Sequence, residues 1–72
     1  AHHDERCDIV LNACRDKVLS CAEITPVLFT RQMDEHMFSF AFSETLAHVN
    51  RLLREGRLVD VGEPDEPRFR SA

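Results

Sequence analysis

Apolar residues in the first third of the chain recur with the period of a helix. Cys7, Val10, Leu11, Cys14 and Val18 stand at i, i+3, i+4, i+7 and i+11. That is one stripe on the roughly 3.6-residue repeat, and it predicts a helix from about His3 to about Leu19. Asp4 and Glu5 in its first turn, with Arg15 and Lys17 near its end, complement the helix dipole. A short apolar segment follows. Ser20, with Glu23 three residues on, is the signature of a capping box for a helix over Ala22 to Phe29, placing Ile24, Val27 and Leu28 on one side. Pro26 has no amide donor; a helix starting near Glu23 would put it in or near the first turn, where none is needed.

Thr30 to Met33 is a polar connection. The longest periodic segment then runs from about Asp34 to Glu55, with Met37, Phe38, Ala41, Phe42, Thr45, Leu46, Val49, Leu52 and Leu53 at helical spacing. Asp34 is a natural N-cap, and Gly56 reaches the left-handed conformation that stops a helix. Phe38, Phe40 and Phe42 also alternate as in a strand, but the surrounding helical period outweighs them. Leu58 to Val61 reads as a strand, Gly62 to Pro67 as a turn, and Arg68-Phe69-Arg70 as the returning strand. The predicted fold is mainly α with a small β-hairpin: a winged helix of three helices and a two- or three-stranded wing, filling residues 1–72 as a single domain.

Composition narrows the function. Seventy-two residues with 43% hydrophobic and 31% charged positions hold one small core. No apolar run approaches the roughly 18 residues of a membrane span. The net charge of −4 argues against a protein that lives by neutralising phosphates, and all of it lies before residue 51. Residues 51–72 balance five arginines against five acids. Three cysteines without a close pair, Cys7, Cys14 and Cys21, match neither a disulfide framework nor a zinc ribbon. They read as buried thiols of a cytoplasmic protein.

Candidate chemistry is sparse. His2, His3 and Cys7 are the one metal-like cluster, and they lack a fourth ligand nearby; His36 and His48 read as interfacial or capping side chains. No serine sits in a glycine-rich elbow, and the two glycines exclude a phosphate loop. In a DNA-binding winged helix the third helix enters the major groove. Here its exposed candidates, Gln32, Glu35, His36, Glu44, His48, Arg51 and Arg54, are of mixed charge. The wing tip carries Glu63, Asp65 and Glu66, although Arg51, Arg54, Arg57, Arg68 and Arg70 could form a local basic patch. Phe29, Met33, Met37, Phe38, Phe40 and Phe42 are more large apolar surface than one small core accommodates. An interaction face built on Phe38, Phe40, Phe42, His48, Arg51 and Arg54 follows.

The stretches Ala1-His2-His3-Asp4-Glu5-Arg6, Leu28-Phe29 and Met33-Asp34-Glu35-His36-Met37, and above all Ser43-Glu44-Thr45-Leu46-Ala47-His48-Val49-Asn50-Arg51-Leu52-Leu53-Arg54-Glu55-Gly56-Arg57-Leu58, resemble the C-terminal winged-helix domain of metallo-β-lactamase-fold hydrolases, including glyoxalase II-like relatives. Pro26 departs from that pattern. The resemblance implies that zinc and the catalytic His-x-His-x-Asp-His motif belong to a preceding αββα domain, and that this chain is the C-terminal piece of a longer hydrolase with no catalytic residue, cofactor or metal of its own. Relatives act on thioesters such as hydroxyacylglutathione, on lactones and, in some, on single-stranded RNA. The implied partner is the N-terminal metallo-β-lactamase-fold domain, with a homodimer as a further option and neither nucleic acid nor membrane expected. The implied role is at a substrate entrance, a docking face or a dimer interface. The alternative from another class is a small winged-helix DNA-binding transcriptional regulator.

Overall fold

The computed structural model describes the backbone at residues 2–30 and 32–72, and side chains from Glu5 onward except at position 31. Three helices, α1 (His2–Ala13), α2 (Cys21–Leu28) and α3 (Glu35–Arg54), precede strands β1 (Leu58–Asp60) and β2 (Phe69–Ser71). The strands pair antiparallel, Leu58 opposite Ser71, Val59 opposite Arg70 and Asp60 opposite Phe69. Leu19, between α1 and α2, exchanges both backbone hydrogen bonds with Phe69, at 3.0 and 2.8 Å, and so adds a single bridge on the other side of β2. The molecule is mainly helical with a small hairpin, an arrangement consistent with a winged helix.

The first helix is shorter than its apolar stripe suggests. It ends at Ala13, and the reason lies in the wing. The Ser71 hydroxyl donates to the Leu11 carbonyl, and the Ser71 amide donates to Cys14 O at 3.1 Å. The carbonyls left open at a helix end thus find partners in β2, and the chain turns into the extended stretch that reaches Phe69. Val18, expected on the buried stripe, is 41% exposed. Arg15 and Lys17 fall beyond the helix and do not face its last turn.

The second helix is capped as the sequence implies. Ser20 Oγ accepts from the Glu23 amide at 3.2 Å, and Glu23 Oε1 accepts from the Ser20 amide at 2.9 Å. The helix starts at Cys21, however, so Pro26 lies beyond the first turn, inside the helix. It costs one hydrogen bond, to the Ala22 carbonyl. Both residues are exposed, which leaves that carbonyl open to water. Phe29 is the C-cap rather than a helical residue.

The third helix is framed by its two caps. Asp34 accepts from the Met37 amide at 2.8 Å. At the other end the Gly56 amide donates to Leu53 O and the Arg57 amide to Leu52 O, at 3.1 and 2.9 Å. This is the paired closure of a Schellman motif, and Gly56 supplies its left-handed residue at φ 73°. The second glycine, Gly62, serves close approach instead: a β-carbon there would lie 2.4 Å from both Arg68 N and Glu66 O.

The core joins all the elements: Cys7, Val10 and Cys14, Cys21 and Ile24, Val49 and Leu52, Leu58 and Phe69. All three cysteines are buried, as expected of small apolar side chains. Cys21 reaches this core from α2, since α1 stops short of it. Burial raises the pKa of the Cys14 and Cys21 thiols. Two threonines are fully enclosed, Thr25 and Thr45. Each satisfies its hydroxyl by donating to the carbonyl one turn back, Cys21 O and Ala41 O, at 2.8 Å.

Candidate interaction surface

Helical geometry divides the phenylalanines of α3. Residues two apart on a helix point about 200° apart, whereas i and i+4 share a face. Phe38 and Phe42 accordingly come together, ring centroids 6.3 Å apart and tilted by 34°. Phe42 is half-buried and packs against the core. Phe40 points elsewhere and is 69% exposed. The three side chains therefore do not make one patch.

Phe40 borders a groove of about 590 Å³ between the start of α1, the end of α2 and the start of α3. Leu28, Phe29, Met33, Met37 and Ala41 form its apolar lining, and Arg6, Thr30 and His36 its polar edge. Arg6 stands over the Phe29 ring, 5.2 Å from the centroid, within reach of a cation–π attraction. Met37 is 45% exposed. Phe29, Met33 and Met37 were foreseeable as surplus apolar surface. The contribution of Arg6, Leu28 and His36 was not, because helix packing alone brings these distant positions together.

The rest of the sequence-derived face lies elsewhere. His48 is 6% exposed and belongs to the buried stripe of Ala41, Thr45, Val49 and Leu52. That corrects its place both on the interaction face and among the exposed residues of the third helix. Its Nδ1 lies 2.7 Å from the Glu44 carbonyl; a carbonyl only accepts, so Nδ1 carries the proton. The signal was present in the sequence, since 41, 45, 48 and 52 keep the helical period. Arg51 and Arg54 remain exposed in the last turn of α3, about 16 Å or more along the axis from Phe40. They form no common site with it.

Several arginines of the C-terminal third meet acids of the same chain. Arg51 pairs with Glu55 at 3.1 Å. Arg57 faces Glu55 and Asp8 at 3.7 and 3.8 Å, and Arg68 lies 3.6 Å from Glu23 and 4.0 Å from Glu66. Exposed pairs like these add little stability, but they divide the basic character of the wing. Glu23 is held below the usual glutamate pKa by its hydrogen bonds with the backbone and side chain of Ser20, helped by Arg68.

Among the described residues no group of three or more histidine, cysteine, aspartate or glutamate side chains converges. The three thiols are built into the core, and His48 lies on the buried stripe of α3. The cluster foreseen at His2, His3 and Cys7 lies, in its histidine side chains, outside the described residues. No helix is long and apolar enough to cross a membrane among the described residues.

Known proteins supply the family. The profile described as "Metallo-beta-lactamase-like, C-terminal domain" matches residues 7–72. Among solved structures the chain is similar to a beta-lactamase domain protein from Burkholderia ambifaria, with 41% identity and a TM-score of 0.88 over 99% of this chain. It spans 22% of the length of that protein's chain. No curated protein matches significantly. On the family match and on the structural similarity, this chain belongs to the metallo-beta-lactamase-like C-terminal domain family.

Proposed function

We propose that this chain serves as the non-catalytic accessory domain of a longer metallo-β-lactamase-fold zinc hydrolase. One observation carries the reading: a close structural relative contains this whole fold as about a fifth of its length, joined to a much larger remainder. The donor chemistry supports it. The described thiols are spent on packing, and no described cluster offers a metal its ligands. Zinc, where the longer protein holds it, would polarise a scissile carbonyl or activate a water in the other domain. The contribution of this chain is a surface, at a substrate entrance, against the catalytic domain or between two subunits of a cytoplasmic protein. The regulator reading is weaker, because Arg51, Arg57 and Arg68 already face carboxylates and the wing tip is acidic.

The test compares the 72-residue chain with the longer polypeptide, each supplied with zinc, on thioester and lactone substrates. The longer protein is expected to turn over and to lose activity with a chelator, whereas the chain alone does neither. Zinc-dependent turnover by the chain alone would refute the accessory role.

A further inference from the structure

The chain carries thirteen acidic residues and a net charge of −4, yet no acid among the described residues lines the groove beside Phe40. Its polar edge is Arg6, Thr30 and His36. Arg51, Arg57 and Arg68 each face a carboxylate of this chain. Arg6 has no ion pair among the described residues; it rests over the Phe29 ring, where a guanidinium keeps its full set of N–H donors. The apolar lining cannot accept a hydrated phosphate backbone without loss, and one arginine is a poor nucleic-acid footprint. Such a groove complements an apolar side chain with a carboxylate beside it.

Its position names the source. Arg6 stands four residues into α1, about 6 Å along the axis from His2. The family is a C-terminal domain, so the rest of the protein reaches this fold at the start of α1, next to the groove. A covalent connection on this side of the fold raises the effective concentration of a neighbouring segment at the groove.

We propose that the groove seats a segment of the preceding hydrolase domain, an apolar side chain flanked by an aspartate or glutamate, with Arg6 taking the carboxylate and Phe40 and Met37 closing over the apolar part. This assignment rests on the accessory reading above and goes beyond it by fixing the face, the partner chemistry and the orientation of the two domains.

The chain supplies its own probe. It has two methionines, Met33 and Met37, and both line the groove. Methyl-labelled methionine is introduced into the longer polypeptide and into the 72-residue chain, with Met33→Leu and Met37→Leu assigning the signals. Relaxation by a soluble gadolinium chelate then reads access to the groove. Both methyls are expected to be protected in the longer protein and open in the chain alone. Phe40→Ser, at an exposed position, should weaken closure by roughly tenfold or more, and Arg6→Gln by roughly three- to tenfold, with Arg6→Lys recovering part of it. Methyls equally open in both proteins would overturn the groove assignment and leave the accessory reading standing. So would protection that Arg6→Gln leaves intact, protection of the chain alone that grows with its concentration, which makes a second copy the occupant, or protection requiring added RNA. A longer polypeptide lacking a metallo-β-lactamase-fold domain would instead remove the accessory reading itself.

Discussion

Replacing Gly56 by alanine isolates the energetic cost of one backbone conformation. Gly56 sits at φ +73°, and a β-carbon added there meets nothing within 4 Å. No clash contributes, so the penalty is that of holding an L-residue in the left-handed region, about 1–2 kcal/mol. Alanine also restricts the unfolded chain, which offsets roughly 0.4–1 kcal/mol. The net expectation is a loss of about 1 kcal/mol, or a fall in Tm of about 4–8 °C for a domain this size. Gly62→Ala is the matched contrast. There the φ is ordinary, but the new β-carbon would lie 2.4 Å from two backbone atoms of the wing. The hairpin must move, at a cost of about 1–3 kcal/mol or more. Urea unfolding followed by circular dichroism, with m held constant, gives both values. A Gly56→Ala loss equal to or larger than that of Gly62→Ala would refute the reasoning, as would a Gly56→Asn variant no better than alanine, since asparagine tolerates this conformation.

Other outcomes follow from the same contacts. Glu23 should titrate below the usual glutamate value, and Ser20→Ala should move its midpoint back up, as followed by carboxyl NMR; an unmoved midpoint contradicts the capping box. Because the folded pKa is the lower one, the stabilisation from Glu23 is present above the ordinary glutamate pKa and is lost as pH falls through the folded value. The three cysteines should react with a thiol reagent only when urea opens the domain, whereas rapid labelling of native protein would place a thiol at the surface. Leu52→Ala should cost about 2–5 kcal/mol by opening the core, while Phe40→Ser should change the stability of the chain alone by no more than about 0.5 kcal/mol. Equal losses would mean that Phe40 is packed.

The helical period of the sequence carries most of the architecture. It separates three helices, and local chemistry marks their ends: Ser20 with Glu23, Asp34, and Gly56 at the left-handed stop. The hairpin follows from the Leu58–Val61 run and the Gly-Pro-rich turn. What the local pattern misses depends on partners distant in sequence. α1 stops early because Ser71 and Phe69, far along the chain, take up backbone groups around it. Pro26 stays inside α2 because its face is open to solvent. The groove was half legible. Phe29, Met33, Met37 and Phe40 stand out as surplus apolar residues, but Arg6 and His36 join them only through helix packing. His48 shows the opposite error: a polar side chain assigned to the surface although its spacing from Ala41, Thr45 and Leu52 placed it inside.

The most direct test of the central claim is the sequence of the polypeptide that carries this domain in the cell. The accessory reading requires a metallo-β-lactamase-fold domain with a His-x-His-x-Asp-His motif encoded ahead of Ala1 and joined to it in one protein. A polypeptide without that motif, or one in which a different enzyme fold precedes α1, would contradict it.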